Sequence, residues 1–196
     1  GMYAAQDARV DDFHLVHPGS RAIAGAGLIM TEMTDVSPEG RITPGCAGLY
    51  REEHASAFAR VTNFVHTQSD AKIGVQIAHA GRKGSTKPPW QGQDVPLSEG
   101  GWELIAPSAL PFRPYSETPR AMGPADFAKV LADFERATDL AELAGFDLIE
   151  LHCAHGYLLA EFLSPLTNHR TDAYGGSVEG RLRFPLQVFS AMRKRF

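Results

Sequence analysis

An α/β protein of parallel βα units, closed as a (β/α) barrel, is the fold this sequence predicts, and three observations predict it. Helix-like and strand-like segments alternate along the chain, the pattern of parallel βα units. No glycine-rich phosphate fingerprint follows the first strand, which counts against a doubly wound dinucleotide-binding sheet. The ends of all three strands carry polar, chemically able residues: Glu32 and Met33, Gln76 to Lys83, and His152 to Tyr157. A barrel gathers its active-site residues at those C-terminal ends.

The elements follow in order. Asp12 to about Ala24 reads as a helix with Phe13, Val16 and Ile23 as core contacts, and Pro18 predicts a kink or a break into two short helices. Ala26–Met33, a nearly unbroken apolar run after glycines, suits a buried parallel strand. Residues 37–50 form a loop by their proline and glycine content. Glu52 to about Gln68 is amphipathic, with Ala55, Phe58, Val61 and Val65 on one stripe, and Lys72–Ala80 is the second strand. Residues 84–122, rich in Pro, Gly and Ser with tryptophans at 90 and 102, read as a lid-like insertion. Pro124 opens a helix with Phe127, Val130, Leu131, Phe134 and Ala137 at helical spacing, and Gly145 caps it. Phe146–Cys153 is the third strand, and a last helix from about Val178 to Arg195 is expected to be interrupted at Pro185.

Composition narrows the function classes. The 196 residues fit one domain, 1–196, and 43% hydrophobic with 21% charged content describes an ordinary globular protein. A formal charge of -4 argues against a nucleic-acid or anionic-membrane surface, and no apolar run approaches a membrane span. Without a signal peptide the expected location is cytoplasmic; Cys46 and Cys153 form neither a disulfide framework nor a zinc motif. The Gly-Met start reads as the remnant of a tag.

The stretch IELHCAHGYLLAEF (Ile149–Phe162) poses the chemical question. Strand alternation puts Glu150 and His152 on one face, and His155, in the following turn, can swing back beside His152. Two imidazole N–H groups aimed at one oxygen polarise a carbonyl or hold an oxyanion, an effect worth a few kcal/mol per donor. Tyr157 adds a phenol able to give a proton. Below His152, a buried Glu150 would need a partner. Gln76 can hydrogen-bond a flat heteroaromatic ring, while Arg82 and Lys83 sit at the same rim. Each has a plainer reading: structural histidines, a tyrosine packed under the next helix, a solvated basic turn. A zinc site of His152 and His155 lacks a third ligand, because Cys153 points the other way.

The runs AGLIMTEMTDVSPEGRI, VQIAHAGRK and AGFDLIELHCAHGYLLAEFLSPLTNHRTDAYGGSVEGRLRF resemble the Old Yellow Enzyme family of NADH:flavin oxidoreductases. The likeness extends over nearly the whole chain and is loosest in the lid. DFHLVHPGSRA and ITPGCAGLY are also similar to a branch with CoA-thioester or aromatic enone substrates, which includes the reductase part of bifunctional salicylyl-CoA 5-hydroxylase/oxidoreductases. The resemblance implies a TIM barrel with FMN at its mouth, reduced by NADH or NADPH, passing hydride to the β-carbon of an activated alkene. It implies that His152 and His155 bind the substrate carbonyl oxygen, with Tyr157 as proton donor or substrate contact and Tyr3 facing the substrate. It implies flavin contacts from Gln76, from the backbone of Met33 and from the rim at Lys83, no metal, and a homo-oligomer. Gly180 stands where the family usually has Asn, and Pro18 where it has an aromatic residue or leucine.

A full barrel takes roughly 250 residues or more. This chain is therefore expected to cover the N-terminal half, from the end of strand 1 through helix 4, with the lid after strand 3. The phosphate site and an arginine facing the flavin are expected in the other half. Alone, the chain is expected to hold FMN weakly or not at all. Two other readings stay open: a non-catalytic half-barrel that self-associates through its sheet edges, and a metal-dependent barrel hydrolase.

Overall fold

The computed structural model describes residues 1–196. Its elements are α1 (Asp12–Ile23), β1 (Leu28–Asp35), α2 (Glu52–Gln68), β2 (Lys72–Ala78), β3 (Ile105–Ala106), β4 (Arg120–Ala121), α3 (Pro124–Leu143), β5 (Leu148–Leu151), α4 (Leu158–Leu163) and α5 (Val178–Arg193). Strands β1, β2 and β5 form one parallel sheet in that order. Each new strand is added at the same edge, so right-handed crossovers lay every helix on one face. The helices form a single layer, α1 on α2, α2 on α3 and α3 on α5. That progression has no reversal of strand order, and it is the arc of a barrel wall rather than a doubly wound sheet.

The two faces of the sheet differ as their side chains dictate. Ile73, Val75 and Ile77 are wholly buried and share one core with Phe58, Val61 and Val65 of α2 and Val130, Phe134 and Ala137 of α3. Burying side chains of this size stabilises the fold by about 1.5–3 kcal/mol each. The opposite face carries Met30, Gly74 and Leu148 in one row and Met33, Gln76 and Glu150 in the next. A bulge between Met30 and Met33 keeps both methionines on that face, and Gln76 N donates to the Thr31 hydroxyl there (3.2 Å). Gly74 is needed in the first row, because a Cβ would lie 2.5 Å from the sulfur of Met30.

Several expectations require correction. Pro18 and Pro185 interrupt nothing: α1 and α5 each run through the proline as one helix, and both rings are buried against neighbouring elements. Each proline removes a single helical bond, and packing outweighs that loss. The face of α1 is also different. Phe13, Val16 and Ile23 are exposed, while His14, Pro18, Gly19 and Ala22 are buried. His14 turns inward because its ring bonds Asp11 (2.9 Å) and Glu32 (3.2 Å), and Gly19 lets the Phe64 ring approach. The first strand starts two residues later than predicted and runs on to Asp35, and a short helix, α4, follows Tyr157. Within 84–122 the chain forms the two-stranded parallel pair β3–β4. No helix is long and apolar enough to cross a membrane.

Candidate active site

His152 continues the β5 ladder, its N–H donating to Ile77 O (3.1 Å), so its ring follows Glu150 onto the open face. The chain then turns sharply: His155 has φ +55° and Gly156 φ +71°. The left-handed conformation at His155 is strained for a residue with a side chain, and it folds the second imidazole back onto the first. The rings stand 5.0 Å apart at 79°, with His155 Nδ1 3.1 Å from His152 Nε2.

The hydrogen bonds fix the tautomers. Ala154 N–H donates to His152 Nδ1 (3.1 Å), so that nitrogen is bare and the ring's proton sits on Nε2. His152 Nε2–H then donates to His155 Nδ1, leaving Nε2–H of His155 as the free donor. His152 is buried and His155 exposed, so the second ring faces the opening. Burial, then the neighbouring His155, holds the His152 pKa below the usual histidine value. Two converging donors are therefore not both free as folded here: a ligand oxygen reaches His152 Nε2–H only by replacing His155 Nδ1.

Tyr157 stands edge-on to both, its ring 5.1 Å from His152 and 6.4 Å from His155. Burial pushes its phenol well above the usual tyrosine range, so it keeps its proton. Lys83 bridges the group, donating to His155 O (3.0 Å) with its ammonium 5.0 Å from the Tyr157 ring centre. Tyr3 joins Tyr157 and Lys83 in the wall of a cavity of about 70 Å³, its phenol pushed up to about 12 by burial and by Cys46 beyond it. Trp90 of the lid lies edge-on to Tyr3 at 6.2 Å.

Gln76 and Met33 lie side by side in the sheet, Gln76 one strand from Glu150. Gln76 Nε2 donates to Glu150 Oε1 (3.0 Å); Glu150 is exposed rather than buried, so the expected need for a partner does not arise. The amide oxygen of Gln76 takes no hydrogen bond from the protein and lies on the open face. An amide acceptor on a flat, uncovered sheet face suits the edge of a planar heteroaromatic ring, so the residues present fit one side of a flavin. Lys83, at the same rim, donates to His155 O and lies over the Tyr157 ring.

Some site residues were not anticipated. Glu161, on α4, is 1% exposed beneath the turn that carries Lys83, accepting from Arg82 N (3.0 Å), with its other oxygen unpartnered. Burial pushes its carboxyl up to about 8. His79, at the end of the β2 segment, is buried, accepts from Gly81 N (3.0 Å), and is pulled down to about 4 by burial. Asp35, at the end of β1, has both oxygens buried without partners, and burial raises its carboxyl well above the usual range. Glu161 has the sequence signature of the polar side of a helix, and its contact with the Gly81–Arg82 turn, about eighty residues earlier, leaves no local signal. No group of three or more His, Cys, Asp or Glu side chains is placed to hold a metal ion.

Comparison with known proteins places this geometry. The family model described as NADH:flavin oxidoreductase / NADH oxidase family matches residues 1–196. The chain is 44% identical to an NADPH dehydrogenase of Bacillus velezensis, covering 98% of this chain and 53% of the relative. It is 43% identical to the NADPH dehydrogenase of Bacillus subtilis, with the same coverage of both. Among solved structures, morphinone reductase superposes with a TM-score of 0.86 at 30% identity, over 98% of this chain and 52% of the other. Old Yellow Enzyme from Pichia sp. AKU4542 does so with a TM-score of 0.87 at 30% identity, over 98% and 50%. These neighbours are TIM barrels, so β1, β2 and β5 are an arc of such a barrel. The chain spans about half the length of the curated relatives it matches. It belongs to the NADH:flavin oxidoreductase / NADH oxidase family, that of Old Yellow Enzyme.

Proposed function

We propose that this chain forms the substrate side of an FMN-dependent oxidoreductase that passes hydride from NADH or NADPH to an activated C=C bond. The observation that carries the reading is the hydrogen-bonded pair His152–His155 with the half-buried, protonated Tyr157 against it. His155 Nε2–H, and His152 Nε2–H once released from His155, donate to the carbonyl oxygen of an enone, enoate or thioester. That polarises the conjugated alkene and stabilises the enolate oxygen as it forms. Neutral imidazoles suit this role, since burial keeps His152 unprotonated and a donor at neutral pH.

Tyr157 holds a proton at its phenol oxygen for the carbon left carrying charge, and Tyr3 faces it across the cavity. Gln76 and the backbone of Met33 are the residues here that would hold FMN by its ring, and Lys83 fixes the His155 turn. FMN, when bound, supplies the hydride taken from the reduced nicotinamide. Met33, His152 and the lid residue Trp90 come from different βα units, so positioning depends on the sheet that carries them. The segment 84–122 is proposed to cover the mouth, with Trp90 against Tyr3 as its inner contact.

The test adds 4-hydroxybenzaldehyde, a phenol whose oxygen stands in for the enolate, to the protein supplied with excess FMN. A long-wavelength charge-transfer band is expected, and it is expected to vanish in His152→Ala/His155→Ala. A band that survives in the double variant removes the histidines from the role.

A further inference from the structure

The rim beside the histidine pair carries more positive charge than it neutralises. Arg82, Lys83 and Arg113 stand 5.8, 4.6 and 4.7 Å from the centre of one ring, Phe112. Three cations sharing one ring repel each other, although the ring face attracts each of them. Lys87 completes the set from the wall of the cavity that also contains Lys83, Thr86, Tyr3 and Tyr157. Two carboxylates are near: Asp94, which lines the cavity itself and pairs with Arg113 (3.3 Å), and Glu117, which is exposed. Neither Lys83 nor Lys87 has a carboxylate in ion-pair contact; the ammonium of Lys83 gives its hydrogen bond to a backbone carbonyl, His155 O. Arg82 Nε is buried with no partner at all. This concentration of cations stands in a chain whose net charge is -4.

Lys83, Lys87 and the hydroxyl side chains of Thr43 and Thr86 line the cavity together with the Asp94 carboxylate, whose charge Arg113 offsets. The cavity's volume of about 70 Å³ gives room for roughly five heavy atoms at 10–15 Å³ each. Lys83 enters from β2's turn and Lys87 from the lid, so an anion between them would draw the lid onto the barrel wall.

We propose that the cavity between Lys83 and Lys87 is an oxyanion site, taking a carboxylate or phosphate group. Lys83 touches both His155 and Tyr157, so the anion belongs to a ligand that also reaches the histidine pair. That last placement rests on the function proposed above, whereas the site itself does not. The group is either an acid carried by the alkene substrate or a phosphate of the reduced nicotinamide.

The experiment is a low-salt titration of the full chain, followed through backbone amide NMR shifts, with inorganic phosphate, 2′-AMP and benzoate as separate probes. Phosphate is expected to shift residues 83–95 first, and Lys87→Gln is expected to weaken its binding about tenfold. A tighter 2′-AMP than benzoate assigns the site to the nicotinamide's phosphate; the reverse assigns it to a substrate acid. His152→Ala is expected to leave phosphate binding as it is while removing 4-hydroxybenzaldehyde, which separates this site from the histidine reading. Phosphate shifts scattered over the surface lysines and arginines, or an affinity unchanged by Lys87→Gln, overturn the proposal.

Discussion

Glu161→Gln offers a perturbation whose size can be worked from the structure. The carboxyl is 1% exposed, one oxygen accepts from Arg82 N, and the other has no partner. Burial raises it from 4.5 to about 8, opposed by the Arg82 amide and by the Arg82 and Lys83 charges. A carboxyl raised in the folded state keeps its proton after the unfolded chain has released it. Stability is therefore fullest below 4.5, falls as pH rises, and levels off above about 8. At about 1.4 kcal/mol per pH unit the full loss is roughly 5 kcal/mol, an upper bound. Glutamine keeps the acceptor for Arg82 N and cannot ionise.

The assay is urea unfolding of both proteins from pH 4 to 9. Below pH 5 the two midpoints are expected to agree closely. Above pH 8 the variant is expected to be more stable by a few kcal/mol, and the gap is expected to open at close to one proton's slope. Parallel curves over the whole range would refute the reasoning, since they would mean that Glu161 ionises in the fold as it does in water. In the folded protein that charge appears under Gly81–Lys83 only near pH 8, where the amide signals of the Lys83 and His155 turns are expected to shift in the wild-type protein and not in Glu161→Gln.

Two further outcomes follow from neighbouring residues. His79 is pulled from 6.5 down to about 4, so the unfolded chain takes a proton first, and its contribution, about 3 kcal/mol, is present above 6.5 and lost as pH falls to about 4; in His79→Gln this acid slope is expected to disappear from urea midpoints. At Gly81, φ +58°, an added Cβ would run into the Glu161 carboxyl, so Gly81→Ala is expected to lower stability by about 2 kcal/mol or more in thermal unfolding, and to shift the amide signals of Lys83 and His155.

Much of the fold was readable because its signals are local. The stripe Ala55–Phe58–Val61–Val65 is buried as its spacing requires, and Gly145, at φ +80°, ends α3 where its sequence position indicated. The juxtaposition of His152, His155 and Tyr157 was readable too, since all three lie within one strand end and its turn. What stayed illegible depends on partners distant in sequence. Phe13, Val16 and Ile23 looked like core until His14 found Glu32 eighteen residues on. Pro18 and Pro185 looked like breaks because a lone proline says nothing of the packing that offsets its lost bond. Gln76 was read for the ring it could touch, not for the Glu150 it bonds across the sheet. The cation cluster on Phe112 draws on residues from 82 to 113 and has no motif.

The central claim concerns two imidazoles, and it is tested most directly by nitrogen-15 NMR of the histidine side chains. With no ligand, His152 is expected to show a bare Nδ1 and a protonated Nε2, with a coupling or exchange protection that marks its bond to His155. On adding 4-hydroxybenzaldehyde, both Nε2–H signals are expected to move together as the His152–His155 bond gives way to two bonds on one oxygen. Signals that stay fixed at saturating phenol, or a His152 protonated on Nδ1 instead, would contradict the account.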